Sequence, residues 1–197
     1  MDIPQPPTIV VATGNPGKLI EMQVYLDALG WQLQLKPDHL EVEETGTTFL
    51  ENARLKAATV AKALNQWAIA DDSGLAVTAL GGAPGIYSAR YADSDAARID
   101  RLLKELEGQS DRSAQFICAL ALANPAGEVV LETKGICHGE ILLTPRGSGG
   151  FGYDPIFYLP SLGKSFAEMQ PSQKEALSHR GIAFSQLMPH LKELSPG

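Results

Sequence analysis

Cysteine is scarce in this chain of 197 residues, which contains only Cys118 and Cys137. Both lie in apolar, strand-like runs, and neither a Cys-x-x-Cys motif nor a Cys/His zinc spacing occurs. A disulfide framework and a structural zinc site are therefore not expected. The two thiols are predicted to be reduced and buried, as is usual in the cytoplasm.

Long apolar runs are missing as well. No run approaches the ~20 residues that a membrane-spanning helix needs, so no membrane contact is predicted. The first residues lack the basic and apolar segments of a secretory signal. We expect residues 1–7 to form a flexible lead-in within a single α/β domain over 1–197, without an internal repeat or linker.

Basic charge is in deficit, with a formal net charge of −7. A nucleic-acid-binding surface needs clustered Lys and Arg to neutralise phosphates, so no nucleic-acid partner is predicted. A small anionic ligand needs only a few basic residues at one point, and the net charge does not exclude it.

Two adjacent carboxylates, Asp71 and Asp72, follow the apolar run Trp67–Ile69, which predicts the end of a buried strand. Desolvating such carboxylates is costly unless a metal ion, cations or hydrogen bonds compensate. An ordinary turn, in which Asp and Ser side chains bond nearby amides, is the alternative. If the strand continues instead, the two carboxylates point to opposite faces and have different roles.

The N-terminal third predicts a strand, a glycine-containing loop and a helix. Thr8–Ala12 is continuously apolar, and Thr13–Lys18 contains two glycines. A helix follows, with Leu19, Met22, Leu26 and Leu29 at helical spacing and Gly30 at its end. Backbone amides, a helix N-terminus and Lys18 then meet at one point, which suits a phosphate. The Walker A and dinucleotide-binding spacings are absent, and an ordinary turn is the alternative.

A second helix is predicted by the capping box of Thr48 and Glu51. Before it, Trp31–Lys36 alternates strictly and predicts a strand near a sheet edge. The side chain of Lys56 lies near the edge of the helix's apolar stripe, so it either extends to solvent or faces a ligand. That stripe consists of Phe49, Ala53, Ala57, Val60 and Leu64.

The C-terminal half alternates between regular segments and glycine loops. The predictions are a loop without secondary structure at 80–91, a helix at 95–106, a hairpin of strands 113–123 and 128–143, a loop at 146–155, a strand at 156–158 and helix from 166. The 80–91 loop supports a site or belongs to a subunit contact.

Three basic residues in the tail, Lys174, His179 and Arg180, cannot share one face of an unbroken helix. A break with Ser178 as a new N-cap would place His179 and Arg180 in a first turn, where positive charge opposes the helix dipole. A polar or anionic ligand would offset that conflict. A single surface helix with solvated charges is the alternative.

Polar groups thus follow several predicted strands, where open α/β sheets bind ligands. Carboxylates and lysines from separate segments suggest Mg²⁺ bridged to phosphates, with a second carboxylate orienting or deprotonating water. Phe151 and Tyr153 could supply an aromatic face for a base. These features favour a nucleotide-phosphate hydrolase.

Six segments in this order resemble the inosine/xanthosine triphosphate pyrophosphatase family, also called the Ham1 or RdgB family, over nearly the whole chain. The segments are Thr13–Lys18, Glu44–Ala53, Ala70–Leu75, Gly81–Arg90, Phe151–Pro155 and Ser178–Arg180. The resemblance implies hydrolysis of ITP, dITP and XTP to monophosphate and pyrophosphate, with Mg²⁺ and a homodimer. It also implies a long mixed sheet flanked by helices, in two lobes with an active-site cleft between them.

The resemblance also implies a role for each matching residue. Asp72 corresponds to the catalytic base, and Glu44 and Asp72 to the metal ligands, which leaves Asp71 a supporting or auxiliary acid role. The expected substrate-binding residues are Thr13, Gly14, Asn15, Pro16, Gly17, Lys18, Lys56, Ser73, Phe151, Gly152, Tyr153, Asp154, Lys174, His179 and Arg180. Competing hypotheses are a Maf-like pyrophosphatase, a nucleotide sensor without hydrolysis, and a purely structural α/β protein.

Overall fold

The structure, a computed structural model, describes residues 8–27 and 30–194. The predicted lead-in 1–7 and Leu29 lie outside these ranges. The strands and α-helices are β1 (Thr8–Val11), α1 (Pro16–Asp27), β2 (Gln32–Leu35), α2 (Phe49–Leu64), β3 (Trp67–Val77), α3 (Asp95–Glu105), β4 (Ser113–Ala123), β5 (Val129–Ile141), β6 (Phe157–Leu159), β7 (Lys164–Ser165), α4 (Pro171–Leu177) and α5 (His179–Leu194).

The strands form one seven-stranded sheet in the order β2-β1-β3-β4-β5-β6-β7. Strand β1 pairs in parallel with β2 and β3, whereas β6 pairs antiparallel with β5 and β7. The predicted mixed α/β sheet is therefore confirmed, and β2 lies at its edge as expected. The predicted hairpin is also confirmed, because β4 and β5 are neighbours joined by a turn in which Gly127 N donates to Asn124 O at 2.8 Å.

The chain divides into two compact units, with the divisions falling inside β3, β4, β5 and α5. The first unit contains the residues up to Asp72, Ala119–Lys134 and the residues from Ala183 onward. Its core is rich in alanine on both α2 and the sheet. Small side chains let a helix lie close to a sheet, so polar groups on α2 can reach groups on β3.

The second unit contains Ser73–Cys118 and Gly135–Ile182 and has a different core. Three aromatic rings lie at its centre, with Phe116 4.6 Å from Phe157 and 5.7 Å from Phe166 between ring centroids. Aromatic pairs at such separations stabilise a core beyond the area that they bury. Whether the chain behaves as one domain with a cleft stays a prediction.

The expectation of a strand end or turn at Asp71 and Asp72 is wrong. Strand β3 continues through both residues to Val77, and Leu75 and Val77 are fully buried beyond them. The apolar residues after the acidic pair keep the strand in the sheet, so the pair lies in a strand interior. Its two side chains therefore point to opposite faces.

The expected loop without secondary structure at 80–91 is also wrong. The chain forms 3-10 helices at Thr78–Leu80 and Gly85–Arg90. The hydroxyl of Ser88 accepts from Leu75 N at 2.9 Å and donates to Gly85 O at 2.6 Å. This buried hydroxyl ties the segment to β3, a contact between residues 13 apart that no local pattern reveals.

The predicted break in the C-terminal tail is confirmed, and the alternative of one surface helix is wrong. Ser178 is extended, with φ −73° and ψ 160°, between α4 and α5. Its hydroxyl accepts from Gly181 N at 3.2 Å, as an N-cap does.

Cys118 and Cys137 are both free and buried, as predicted. Across residues 8–27 and 30–194, none of the helices has the length and apolarity to cross a membrane.

Candidate active site

The loop after β1 is organised by Asn15. Its Oδ1 accepts from Gly17 N at 2.9 Å and from Lys18 N at 3.2 Å, so Asn15 caps α1. Thr13 Oγ1 in turn accepts from Asn15 N at 3.2 Å. These two helix amides, expected to be open to a phosphate, are already hydrogen-bonded to the loop itself. The group of this loop that can attract an anion by its charge is therefore the ammonium of Lys18.

That ammonium lies against Asp71. Lys18 Nζ is 2.5 Å from Asp71 Oδ1, and the side chains are 14% and 0% exposed. The pair links α1 to β3. Asp71 therefore compensates a cation on one face of the sheet, and different roles for the two neighbouring aspartates stay a prediction.

On the other face, Asp72 meets α2. Asn52 and Lys56 are one helical turn apart, so both side chains project from the same side of the helix. Lys56 Nζ is 2.9 Å from Asp72 Oδ1 and 2.8 Å from Glu44 Oε1. The two carboxylates predicted as metal ligands thus share one ammonium. The alternative in which Lys56 extends to solvent is wrong, because its ammonium is held by this acidic pair.

Asn52 completes the surroundings of Asp72. It is fully buried, its Nδ2 donates to Asp72 Oδ2 at 3.2 Å, and its Oδ1 accepts from Gly46 N at 2.8 Å. Both oxygens of Asp72 are therefore engaged, one by Lys56 and one by Asn52. Asn52 lies within the segment Glu44–Ala53 that resembles the family, but the sequence predicts no role for it. Its spacing of four residues from Lys56, which places both side chains on one side of α2, is the signal in the sequence that points to it.

Burial raises the pKa of Asp72, and the nearby charge of Glu44 adds to this, while Lys56 and Lys18 act in the opposite direction. For Lys56, burial acts to lower the pKa, but the charges of Asp72 and Glu44 outweigh it, so the pKa is raised. Lys56 consequently stays charged at neutral pH. Asp72 is a stronger proton acceptor than an ordinary aspartate, as general base catalysis requires.

The carboxylates fit a cation that takes few ligands from protein. Among the residues that the structure describes, no group of three or more His, Cys, Asp or Glu could hold a metal ion. Mg²⁺ commonly uses one or two carboxylates and completes its shell with water and phosphate oxygens. Glu44 and Asp72 already converge on one positive charge, so this donor set fits Mg²⁺ with a phosphorylated ligand.

A second set of candidate residues lies in the second unit, around Asp154. Asp154 Oδ2 accepts from Phe151 N at 2.9 Å and from Lys174 Nζ at 2.5 Å. The ammonium of Lys174 lies 4.9 Å from the centroid of the Phe151 ring. Gly150 has φ +74°, and a Cβ there would meet Asp154 Oδ2 at 2.0 Å, so glycine is required at this position. Asp154 thus positions both the loop and Lys174.

Tyr153 and Gly152 have structural contacts of their own. The buried hydroxyl of Tyr153 donates to Ser88 O at 2.9 Å, and burial raises its pKa. Its ring belongs to the core, so of the two aromatic faces expected for a base, the half-buried Phe151 is the one that remains accessible. Gly152 N donates to Asp95 Oδ2 at 2.7 Å.

The first turn of α5 carries His179 and Arg180, and both side chains are buried. The ring of His179 stacks on Phe116 at 4.7 Å between centroids and an angle of 11°. Arg180 Nη2 donates to Ser73 Oγ at 2.9 Å. Of the predicted substrate residues, the first unit thus holds Thr13–Lys18 and Lys56, and the second holds Ser73, Phe151–Asp154, Lys174, His179 and Arg180.

The mixed sheet and these two sets define an α/β protein whose buried cations and carboxylates suit a phosphorylated ligand. The model of the family described as the Ham1 family matches residues 9–190. The chain belongs to the Ham1 family, which confirms the resemblance seen in the sequence.

Curated relatives and solved structures agree with this membership. A Synechocystis protein named dITP/XTP pyrophosphatase is 65% identical, over 92% of this chain and 94% of its own length. A Nostoc protein of the same name is 60% identical, over 93% of each chain. The structure of a HAM1 protein from Coxiella burnetii superposes with a TM-score of 0.87 at 46% identity, covering 95% of this chain and 99% of that one.

Proposed function

We propose that this protein hydrolyses noncanonical purine nucleoside triphosphates, ITP, dITP and XTP, to the monophosphate and pyrophosphate. The names of relatives at 65% and 60% identity support this activity. In the structure, the observation that carries the proposal is the convergence of Glu44 and Asp72 on Lys56. A buried acidic pair with its own cation suits the handling of an anionic substrate and a water molecule.

In the reaction, water adds across the α–β anhydride linkage, and pyrophosphate leaves. Asp72 accepts the proton that the attacking water loses, since burial raises the pKa of this carboxyl. Lys56 donates to Asp72 Oδ1 at 2.9 Å and fixes the orientation of the carboxylate. The loop Thr13–Lys18 binds the triphosphate, with the ammonium of Lys18 as its charged group.

Glu44 and Asp72 are the residues that would hold Mg²⁺. A bound Mg²⁺ would neutralise charge on the phosphate oxygens as the anhydride breaks. The ammonium of Lys56 adds a fixed positive charge beside the same two carboxylates, 2.8 Å from one and 2.9 Å from the other. The protein's own contribution is thus a preorganised, partly desolvated charge cluster.

The base is contacted by the second set. Hypoxanthine and xanthine carry a C6 carbonyl where adenine carries an amino group. Lys174 or Arg180 donates to that carbonyl, and adenine leaves the donor without an acceptor. Sites built this way discriminate by factors of about 10⁴. Phe151 supplies an aromatic face, and Asp154 holds Lys174 in place at 2.5 Å.

We also propose that the protein acts as a homodimer in the cytoplasm, with nucleotides as its ligands and no nucleic-acid or membrane partner. The net charge of −7 supports the absence of a nucleic-acid partner, because a protein of net negative charge repels phosphate polymers. Light scattering on the purified protein tests the homodimer, and a mass of one chain would contradict it.

The function is tested by pyrophosphate release from ITP, XTP, dGTP and ATP, with and without Mg²⁺. We expect release from ITP and XTP that depends on Mg²⁺ and is lost in Asp72→Asn. Asp38→Asn is the matched control, because Asp38 is exposed and lies outside both sets. Orthophosphate as product, or full activity of Asp72→Asn, would contradict the mechanism. Binding without hydrolysis would favour a sensor, and a preference for pyrimidine nucleotides would favour a Maf-like enzyme.

A further inference from the structure

The side chain of Asn52 makes two hydrogen bonds that link different segments of the first unit. Its Nδ2 donates to Asp72 Oδ2 at 3.2 Å, and its Oδ1 accepts from Gly46 N at 2.8 Å. Gly46 lies two residues after Glu44, so one amide connects β3 to the segment that carries the other carboxylate. The side chain is fully buried, which makes each lost bond costly.

The chemistry of the amide specifies its orientation. A backbone N–H needs an acceptor, and a carboxylate needs a donor, so the oxygen must face Gly46 and the nitrogen must face Asp72. Among side chains of this size, an amide supplies both at once. Aspartate would place two carboxylates together, and leucine would satisfy neither partner.

Gly46 is fitted closely to this contact. A Cβ at residue 46 would lie 2.6 Å from Asn52 Oδ1 and 2.7 Å from Glu51 Cβ. Any side chain there would push the segment away from α2. The close approach of Gly46 therefore serves the hydrogen bond to Asn52, and the bond in turn places Glu44 within reach of Lys56, 2.8 Å from its Nζ.

We propose that Asn52 is a positioning residue, which holds the carboxylate of Asp72 and the segment of Glu44 in the mutual arrangement that hydrolysis needs. Lys56 supplies the charge between the two carboxylates, and Asn52 supplies the geometry. This proposal rests on the proposed function for its kinetic part. The two hydrogen bonds of Asn52, with Asp72 and with Gly46, form a clamp that is testable by stability alone.

The kinetic test compares Asn52→Leu with Ala61→Gly. Ala61 is buried in the core on the same helix, and its side chain has no group that could hydrogen-bond to a carboxylate, so its substitution lowers stability and leaves the groups of the clamp in place. We expect kcat for ITP to fall about a hundredfold in Asn52→Leu, since small misplacements of catalytic groups have such effects. KM, and the Kd of an ITP analogue with a methylene bridge between the α and β phosphorus atoms, should change less than about threefold. Gly46→Ala should show the same pattern.

Several outcomes would overturn the proposal. One is a kcat for Asn52→Leu equal to that of Ala61→Gly at a matched melting temperature. Another is a rise in KM with unchanged kcat. Inactivity of the wild-type protein on ITP would instead refute the proposed function.

The stability test exchanges the two partners. Asn52→Asp should lower the melting temperature, because it opposes two buried carboxylates. In the wild type, Asp72→Asn should lower the melting temperature, because Lys56 loses a counter-ion. In the Asn52→Asp background the same substitution should lower the melting temperature less or raise it, because the donor and acceptor are then restored in reverse. Equal effects of Asp72→Asn in both backgrounds would show that the two side chains do not interact, and the clamp would be refuted.

Discussion

Replacing Asp71 by asparagine tests whether the two neighbouring aspartates have different roles. Asp71 pairs with Lys18 at 2.5 Å, and its own side chain is 0% exposed. Asparagine keeps the shape of the side chain but removes its charge, so Lys18 loses its compensating carboxylate. We expect a loss of stability, without loss of the capacity to bind phosphate.

The magnitude follows from burial. Removing one partner of a buried ion pair costs about 3–5 kcal/mol, because the other charge is left uncompensated. The ammonium of Lys18 retains some access to water, with its side chain 14% exposed, so we expect the lower end, about 3 kcal/mol. For a protein of this size that corresponds to a fall in melting temperature of about 6–12 °C.

Thermal and urea unfolding of Asp71→Asn measure this effect, and Glu132→Gln is the control. Glu132 pairs with Arg54 at 2.6 Å, but those side chains are 38% and 46% exposed. Such surface pairs contribute about 0–1 kcal/mol, so the control should shift the melting temperature little. Equal shifts in the two variants would refute the role of Asp71 as a buried counter-ion.

Ligand binding and turnover separate the two roles left open for Asp71. If the carboxylate only compensates Lys18, the affinity of Asp71→Asn for pyrophosphate holds or rises, and kcat stays within about threefold of the wild type. A hundredfold loss of kcat with unchanged pyrophosphate affinity would instead identify Asp71 as an auxiliary acid.

Three further predictions concern other residues. Because burial raises the pKa of Asp72 in the free protein, the acid limb of the kcat/KM profile, which reports groups of the free enzyme, should lie above the value of about 3.9 for ordinary aspartate; an inflection at or below it would contradict the assignment as base. Burial raises the pKa of Cys137 to about 11, so iodoacetamide at pH 8 should label neither Cys137 nor Cys118 in the folded protein but both in guanidinium, as mass spectrometry would show. Lys174→Met should raise KM for ITP at least about tenfold while leaving that for ATP unchanged, and equal changes would remove Lys174 from base recognition.

The burial of Arg180 changes the choice of variant that best tests recognition of the base. Arg180 is a candidate contact to the base, and from the sequence its replacement by alanine would be expected to affect KM more than stability. Its side chain is 1% exposed and donates to Ser73 Oγ at 2.9 Å, so Arg180→Ala would lower stability as well. Lys174, on the short helix α4, is the better test.

Most elements of the fold were predictable because their signals are local. A continuous apolar run predicted β1, hydrophobic spacing predicted α1 and α3, and the capping residue Thr48 predicted the start of α2. The spacing of Lys174, His179 and Arg180, which cannot share one face of an unbroken helix, predicted the break at Ser178. Each of these signals lies within one or two turns of chain, where residue type directly determines backbone preference.

The sequence by itself also determined which residue types are available for chemistry: an acidic pair, a few lysines and two glycine loops, in an order that matches the Ham1 family. Only the tertiary structure decided what these side chains contact. Three features depend on partners that lie up to 107 residues away. Strand β3 continues through Asp71 and Asp72, the ammonium of Lys56 contacts Asp72, and Arg180 is buried. Sheet pairing and helix docking bring such partners together, and the cost of desolvating a charge then determines that each carboxylate has a cation or an amide beside it.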